Sequence, residues 1–284
     1  MTKLLVPVDG PWDIADSQVM LRYDAVPGTA RIESTGGLTR LLDDDDGDPR
    51  PVTVHPGPAG VRVRALGAWD EDRLAERIRW WFDLRAPVAR IEDRLGADEH
   101  LGPLIRTRPG LRITRLPDGF AAVLITVMGQ NVSLAAMHRF AARLVAAHGS
   151  AAGDGLSAFP SPAALTAVPV DELRATIGVT GARARTLRAV AELFAAGFRL
   201  PCSGAEAEAP LQQLRSLPGI GPWTVEYLRL RATDHPDALP ASDAVLRRAL
   251  GGADARTVED RAAAWAPYRS YATARLWSTQ APPG

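Results

Sequence analysis

The string Leu217-Pro218-Gly219-Ile220-Gly221-Pro222-Trp223-Thr224 constrains this chain more than any other stretch. Pro218 and Gly219 end the helical pattern of Leu211 to Leu217. Pro222 suits the first turn of a new helix, Trp223 to Arg231, because its missing N–H would lack an intrahelical partner there anyway. The spacing therefore predicts helix, tight hairpin, helix. Gly221 permits a backbone conformation closed to residues with a β-carbon. Bare glycines and the free N–H groups at the start of the second helix let such a turn hold an anion such as a phosphate. An ordinary helix–helix corner built on a Pro-Gly turn is the alternative.

Asp243 stands 22 positions after Gly221, between Pro240 and the Arg247-Arg248 pair. An aspartate just ahead of Ala244 to Leu250 makes a good helix N-cap. That role is compatible with a chemical one, a single carboxylate aimed at whatever the hairpin positions.

Upstream, short β-type runs at Lys3 to Val8, Val19 to Tyr23, Ala30 to Glu33, Val52 to His55 and Val61 to Ala65 predict an antiparallel sheet. The acidic run Asp43 to Asp48 reads as a solvated loop between strands. One helix, Asp70 to Leu84, follows, with Leu74, Ile78, Trp81 and Phe82 at helical spacing. After Arg85-Ala86-Pro87 strands disappear and helices succeed one another. The reading is an α+β chain: a mixed sheet-and-helix domain over residues 1–86 and a helical domain over 87–284. Asp98 to Pro103 reads as a bridging segment, Phe120 to Met128 as a nearly buried helix, and Ser133 as the cap of a helix running to His148. Gly178 to Gly181, with Arg183 and Arg185, puts a helix start beside two guanidinium groups, a phosphate contact or simply a solvated face. The tail Ala281-Pro282-Pro283-Gly284 is expected to fray.

Composition excludes several classes. A lone cysteine, Cys202, builds no disulfide framework, zinc cluster or iron–sulfur cluster. No apolar run reaches the about 18 residues that span a bilayer, and Met1 to Gly10 lacks signal-peptide features, so a cytoplasmic, nucleoid-associated protein without membrane partners is expected. Net charge is zero, yet residues 1–111 carry 15 basic and 19 acidic side chains against 18 and 14 in residues 112–284, a modest asymmetry of −4 and +4. Of the 33 cationic side chains only Lys3 is a lysine.

These motifs together resemble the helix-hairpin-helix DNA glycosylases, in the 3-methyladenine DNA glycosylase II branch. Leu217 to Thr224 is similar to that superfamily's hairpin, and Pro240 to Arg248 to the segment bearing its catalytic aspartate. Phe120 to Ser133 resembles the helix and strand-separating loop, Trp265 to Trp277 the end of this branch, and Phe82-Asp83-Leu84 the end of its N-terminal sheet domain. The resemblance implies that Asp243 is the catalytic carboxylate. It implies that Trp223, Tyr227 and Trp277 line a base pocket; core filling is their alternative role. Gly219, Ile220, Gly221 and Thr224 would hold DNA phosphate, while Gln130 and Asn131 would enter the gap left by an extruded nucleotide. Two departures stand out: Asn131 replaces the apolar wedge usual in this branch, and Ser242 stands where some relatives place another acid.

The implied reaction is hydrolysis of the N-glycosidic bond of a flipped-out alkylated purine, such as 3-methyladenine, in base excision repair. No cofactor or metal is expected. Base extrusion costs a few kcal/mol, and aromatic stacking returns about 1–3 kcal/mol per base. Strand-cutting relatives need an amine nucleophile; Trp223 occupies the matching position, so an intact abasic strand is expected. The expected partner is double-stranded DNA containing damaged bases, bound by a monomer. The alternatives are the same scaffold acting on oxidised or deaminated bases, and a non-catalytic damage-binding protein.

Overall fold

The computed structural model describes residues 1–279, so the tail Ala281 to Gly284 lies outside the described residues. Five strands, β1 (Thr2–Val6), β2 (Ala30–Ile32), β3 (Leu38–Asp43), β4 (Pro49–Gly57) and β5 (Gly60–Ala65), form one antiparallel sheet in the order β1-β5-β4-β3-β2. The register pairs Leu38 with Val54 and Val54 with Val63, which lines up one apolar row across the sheet. The acidic loop between β3 and β4 is held by Asp44, whose Oδ1 accepts from the backbone N–H groups of Asp46 and Asp48.

Two helices pack against this sheet. α1 (Ile14–Asp24) overturns the expected strand at Val19 to Tyr23. A short run of Val, Met, Leu and Tyr has no periodicity that separates strand from helix. Here Asp13 decides, because its side chain accepts from the Asp16 N–H and caps the helix. α2 (Glu71–Trp81) is capped by Asp70 and buries Leu74, Ile78 and Trp81 against the sheet.

The helical part comprises α3 (Val88–Leu95), α4 (Leu101–Thr107), α5 (Gly119–Gly129), α6 (Leu134–His148), α7 (Pro162–Ala167), α8 (Val170–Ile177), α9 (Gly181–Ala195), α10 (Glu208–Arg215), α11 (Pro222–Ala232), α12 (Ala244–Ala249), α13 (Ala255–Ala262) and α14 (Arg269–Ser278). α4 takes part of the expected bridging segment; Pro103 lies in its first turn, where a missing N–H breaks no helical bond. Two cores divide these helices. One gathers α5, α6 and α7 to α11 around Leu124, Leu187 and Leu228. The other joins α3 and α4 to α12, α13 and α14 around Ile91, Leu246 and Trp265.

Arginines close the seam between sheet and helices. Buried Arg115 donates to the Trp80 and Thr233 carbonyls and from Nη2 to Asp83 Oδ1 at 2.8 Å. Arg112 reaches the carbonyls of Pro11 and Asp83, and that of Asp9. One planar fork serving several carbonyls at once is what guanidinium, and not ammonium, supplies. Asp83 anchors the seam with φ at 55°, a left-handed conformation that aspartate tolerates, and its Oδ2 accepts from the Tyr271 hydroxyl at 2.9 Å. Asp83→Ala leaves the buried Arg115 guanidinium uncompensated, so we expect a loss of about 3–5 kcal/mol in stability. Urea unfolding checks this; an unchanged midpoint would show that the seam is not held this way.

Candidate active site

The hairpin forms as the sequence predicts. α10 ends at Arg215, and α11 begins with Pro222 at its first position behind an extended Gly221 cap. The strained glycine, however, is Gly219 with φ at 89°. A Cβ there would lie 2.2 Å from Thr186 Oγ1, whereas Gly221 has φ at −96° and no atom within 4 Å of the point a Cβ would occupy. Gly221 thus does not use the left-handed freedom that its missing β-carbon permits; Gly219 does. Gly221 is the open glycine, free for a close approach from outside. Thr186 braces the turn by donating to the Pro218 carbonyl at 2.8 Å.

Gln130, in the loop between α5 and α6, ties itself to the hairpin. Its Nε2 donates to Thr224 Oγ1 and to the Gly219 carbonyl, each at 2.9 Å. Thr224 is buried, the Ile220 side chain, 5% exposed, packs into the core, and the Ile220 N–H donates to the Leu217 carbonyl at 3.1 Å, closing the turn. Asn131 is exposed with φ at 54°, a conformation asparagine tolerates, and stands at the tip of that loop. Arg183 is committed inside the protein, donating to the Gln130 carbonyl at 2.5 Å.

Asp243 caps α12 and does more. Its Oδ1 accepts from the Val245 and Leu246 N–H groups at 3.0 and 2.9 Å and from Trp277 Nε1 at 3.0 Å. Its Oδ2 accepts from Trp223 Nε1 at 2.9 Å. Every partner is a donor, as an ionised carboxylate requires. Trp223 and Trp277 also flank Tyr227, with ring centroids 5.3 and 5.6 Å apart, so three rings make one continuous wall. The family resemblance implied that these aromatics line a pocket; no local pattern showed that the two indoles orient the carboxylate.

The wall and Asp243 line a cavity of about 890 Å3, together with Gln130, Asn131, Gly219, Gly221 and Thr224. Such a volume is in the range of ligand sites that enclose a small organic group. Its far side was not legible in the sequence: α1 contributes Asp16, Met20 and Tyr23, and the neighbouring segments contribute Arg112, Ile113 and Arg231. Arg231 is buried, donating to Asp24 Oδ2 at 2.7 Å and to the Thr114 carbonyl at 3.0 Å, so it fastens α1 to α11 beside the pocket. Burial pushes the Tyr227 phenol above its ordinary value, which keeps the wall neutral. Among the described residues no group of three or more His, Cys, Asp or Glu side chains is placed to hold a metal ion.

Two families match the chain. Residues 3–118 match the AlkA N-terminal domain, and residues 124–259 match the HhH-GPD superfamily base excision DNA repair protein. The chain belongs to this superfamily of helix-hairpin-helix repair proteins. Within it the chain falls in the 3-methyladenine DNA glycosylase II branch, together with relatives bearing the AlkA and DNA-3-methyladenine glycosylase 2 names. It is 35% identical, over 97% of its length, to a probable bifunctional transcriptional activator/DNA repair enzyme AlkA of Mycobacterium tuberculosis, and covers 56% of that protein. It is 30% identical to DNA-3-methyladenine glycosylase 2 of Escherichia coli over 63% of this chain and 64% of that one. The chain thus spans between half and two thirds of these relatives. In fold it resembles the 3-methyladenine DNA glycosylase of Archaeoglobus fulgidus, with a TM-score of 0.77, 19% identity and coverage of 98% and 97% of the two chains.

The two hairpin glycines should behave oppositely. Gly219→Ala should cost about 1–2 kcal/mol for its left-handed conformation alone, plus the clash with Thr186. Gly221→Ala should leave the unfolding midpoint within about 0.5 kcal/mol of the parent. Thermal or urea unfolding of both variants checks this, and equal losses would contradict it.

Proposed function

We propose that this chain is a monofunctional DNA glycosylase that hydrolyses the N-glycosidic bond of a flipped-out alkylated purine, such as 3-methyladenine, in duplex DNA. The observation that carries this reading is the Asp243 carboxylate, fixed by the indole N–H groups of Trp223 and Trp277 at the edge of an aromatic-walled cavity.

The chemistry follows from these placements. The open Gly221 and the first N–H groups of α11 receive a backbone phosphate, with the positive end of the helix facing it. The loop bearing Gln130 and Asn131 stands beside the hairpin and faces the space that an extruded nucleotide vacates. Asn131 wedges less than an apolar residue but offers an amide to the orphaned base. The extruded base stacks on the wall of Trp223, Tyr227 and Trp277. A cationic alkylpurine gains further from the ring quadrupoles, by about 0.5–2 kcal/mol. As the base departs, the sugar acquires oxocarbenium character. The oriented Asp243 carboxylate stabilises that charge and directs or deprotonates the water that traps it.

No amine stands on the hairpin's second helix, since Trp223 fills the first position after Pro222 and the single lysine, Lys3, is on β1. The product is an abasic site in an uncut strand. We also propose a division of the chain at residues 86 and 87; it is supported by the sheet core ending at Leu84 and the α3–α14 core beginning at Ala86.

The direct test is chromatography of bases released from methylated duplex DNA. Asp243→Asn should bind the duplex with parent affinity while lowering release of 3-methyladenine by at least about a hundredfold. Undiminished release by that variant would sink the mechanism, and release only of oxidised or deaminated bases by the parent would redirect the substrate. Borohydride treatment during turnover should trap no protein–DNA adduct; a trapped adduct would refute the monofunctional reading.

A further inference from the structure

One carboxylate in the cavity is not used by the mechanism. Asp16, on α1, is 7% exposed and lines the same cavity as Asp243, Trp223, Tyr227 and Trp277. Its backbone N–H is engaged by the Asp13 cap, but its carboxylate accepts no hydrogen bond among the described residues. The nearest cation, Arg108 Nη2, is 3.9 Å away and is committed to Asp13 at 2.7 Å. Contrast Asp243, in the same cavity, with four donors. The Asp16 oxygens open onto the cavity rather than onto protein donors, and a carboxylate so placed in a ligand cavity points to a partner brought by the ligand.

We propose that Asp16 is a specificity-determining residue that faces the extruded base and selects bases carrying positive charge and amino N–H donors over neutral ones. This rests on the glycosylase reading above and adds a substrate-selecting role for the N-terminal sheet region. Asp16 is not a catalytic residue in this scheme. The base keeps its amino N–H donors and part of its charge until the glycosidic bond is fully broken, so a carboxylate beside the base stabilises bound substrate and transition state about equally. Interactions of that kind act on binding, and hence on KM, more than on kcat.

The surroundings of Asp16 agree. Burial, with Asp13 adding repulsion, raises its carboxyl to about 6, against the opposing pull of Arg108, Arg275 and Arg231. Two of those arginines are neutralised by carboxylates of their own: Arg275 by Glu92 at 2.7 Å and Arg231 by Asp24 at 2.7 Å. Above pH 6 the group is ionised in the free protein and favours a cation; below it the neutral carboxyl has no such preference.

The experiment compares freshly methylated duplex DNA, which yields cationic 3-methyladenine, with a duplex carrying a single neutral hypoxanthine. Loss of a charge-assisted hydrogen bond is worth about 1.5–3 kcal/mol, or about 10- to 100-fold. Asp16→Asn should therefore lower kcat/KM for 3-methyladenine at least about tenfold more than for hypoxanthine, with the difference in KM. In the parent protein the ratio of the two kcat/KM values should fall as pH drops from 7.5 to 5.5, a readout that stands even if the variant does not fold. An unchanged ratio in both measurements, or an equal loss on both substrates, overturns the assignment of Asp16 while leaving the glycosylase reading intact. Failure of the parent protein to release any base overturns that reading, and this assignment with it.

Discussion

The structure depends on how one carboxylate is held. Asp243 does two things at once: it closes the first turn of α12 through the Val245 and Leu246 N–H groups, and it faces a cavity. A cap alone would leave Oδ2 free to rotate toward water. The Trp223 indole takes that oxygen and the Trp277 indole shares the other, so helix geometry and pocket wall fix the same group. Charge-assisted bonds of this kind are short, directional and worth about 1.5–3 kcal/mol each. The price is that neither indole can move independently of the carboxylate, which makes the wall and the Asp243 side chain one rigid unit.

That unit is assembled from distant parts of the chain. Trp223 starts α11, Trp277 ends α14, and Asp243 lies between them, at the meeting of the two helical cores. The N-terminal sheet region completes the enclosure through α1. The Arg231–Asp24 pair and the Arg115–Asp83 pair, both buried, hold it there. Buried ion pairs of this type contribute little net stability but penalise any arrangement that separates them. They set position rather than strength, and position is what a cavity shared between regions requires. The composition, with one lysine among 33 cationic side chains, supplies the guanidinium forks of this seam.

The helical half was legible because its signals are local. Ser133 caps α6 where the sequence placed it, Pro222 opens α11, and Asp243 stands at the start of α12. The N-terminal half was read less well. At Val19 to Tyr23 a five-residue stretch with four apolar or aromatic side chains around Arg22 fits strand or helix alike, and the Asp13 cap settles it. The same error hid part of the site, because α1 carries Asp16 and Met20 into the cavity. The resemblance named the aromatic positions, yet the indole-to-carboxylate bonds span 20 and 34 residues and are set by tertiary packing that no local pattern encodes. At the hairpin both glycines were found, but which one takes the left-handed backbone was not legible: it is Gly219, while Gly221 presents the open face.

The most direct test of this arrangement is Trp277→Phe, which keeps an aromatic ring in the wall and removes only the donor to Asp243 Oδ1. Measured as single-turnover release of 3-methyladenine from saturated duplex, the rate should fall about 10- to 100-fold, the equivalent of one charge-assisted hydrogen bond. A rate equal to the parent's would show that the indole serves only as a stacking surface and that the orientation of Asp243 does not govern the reaction.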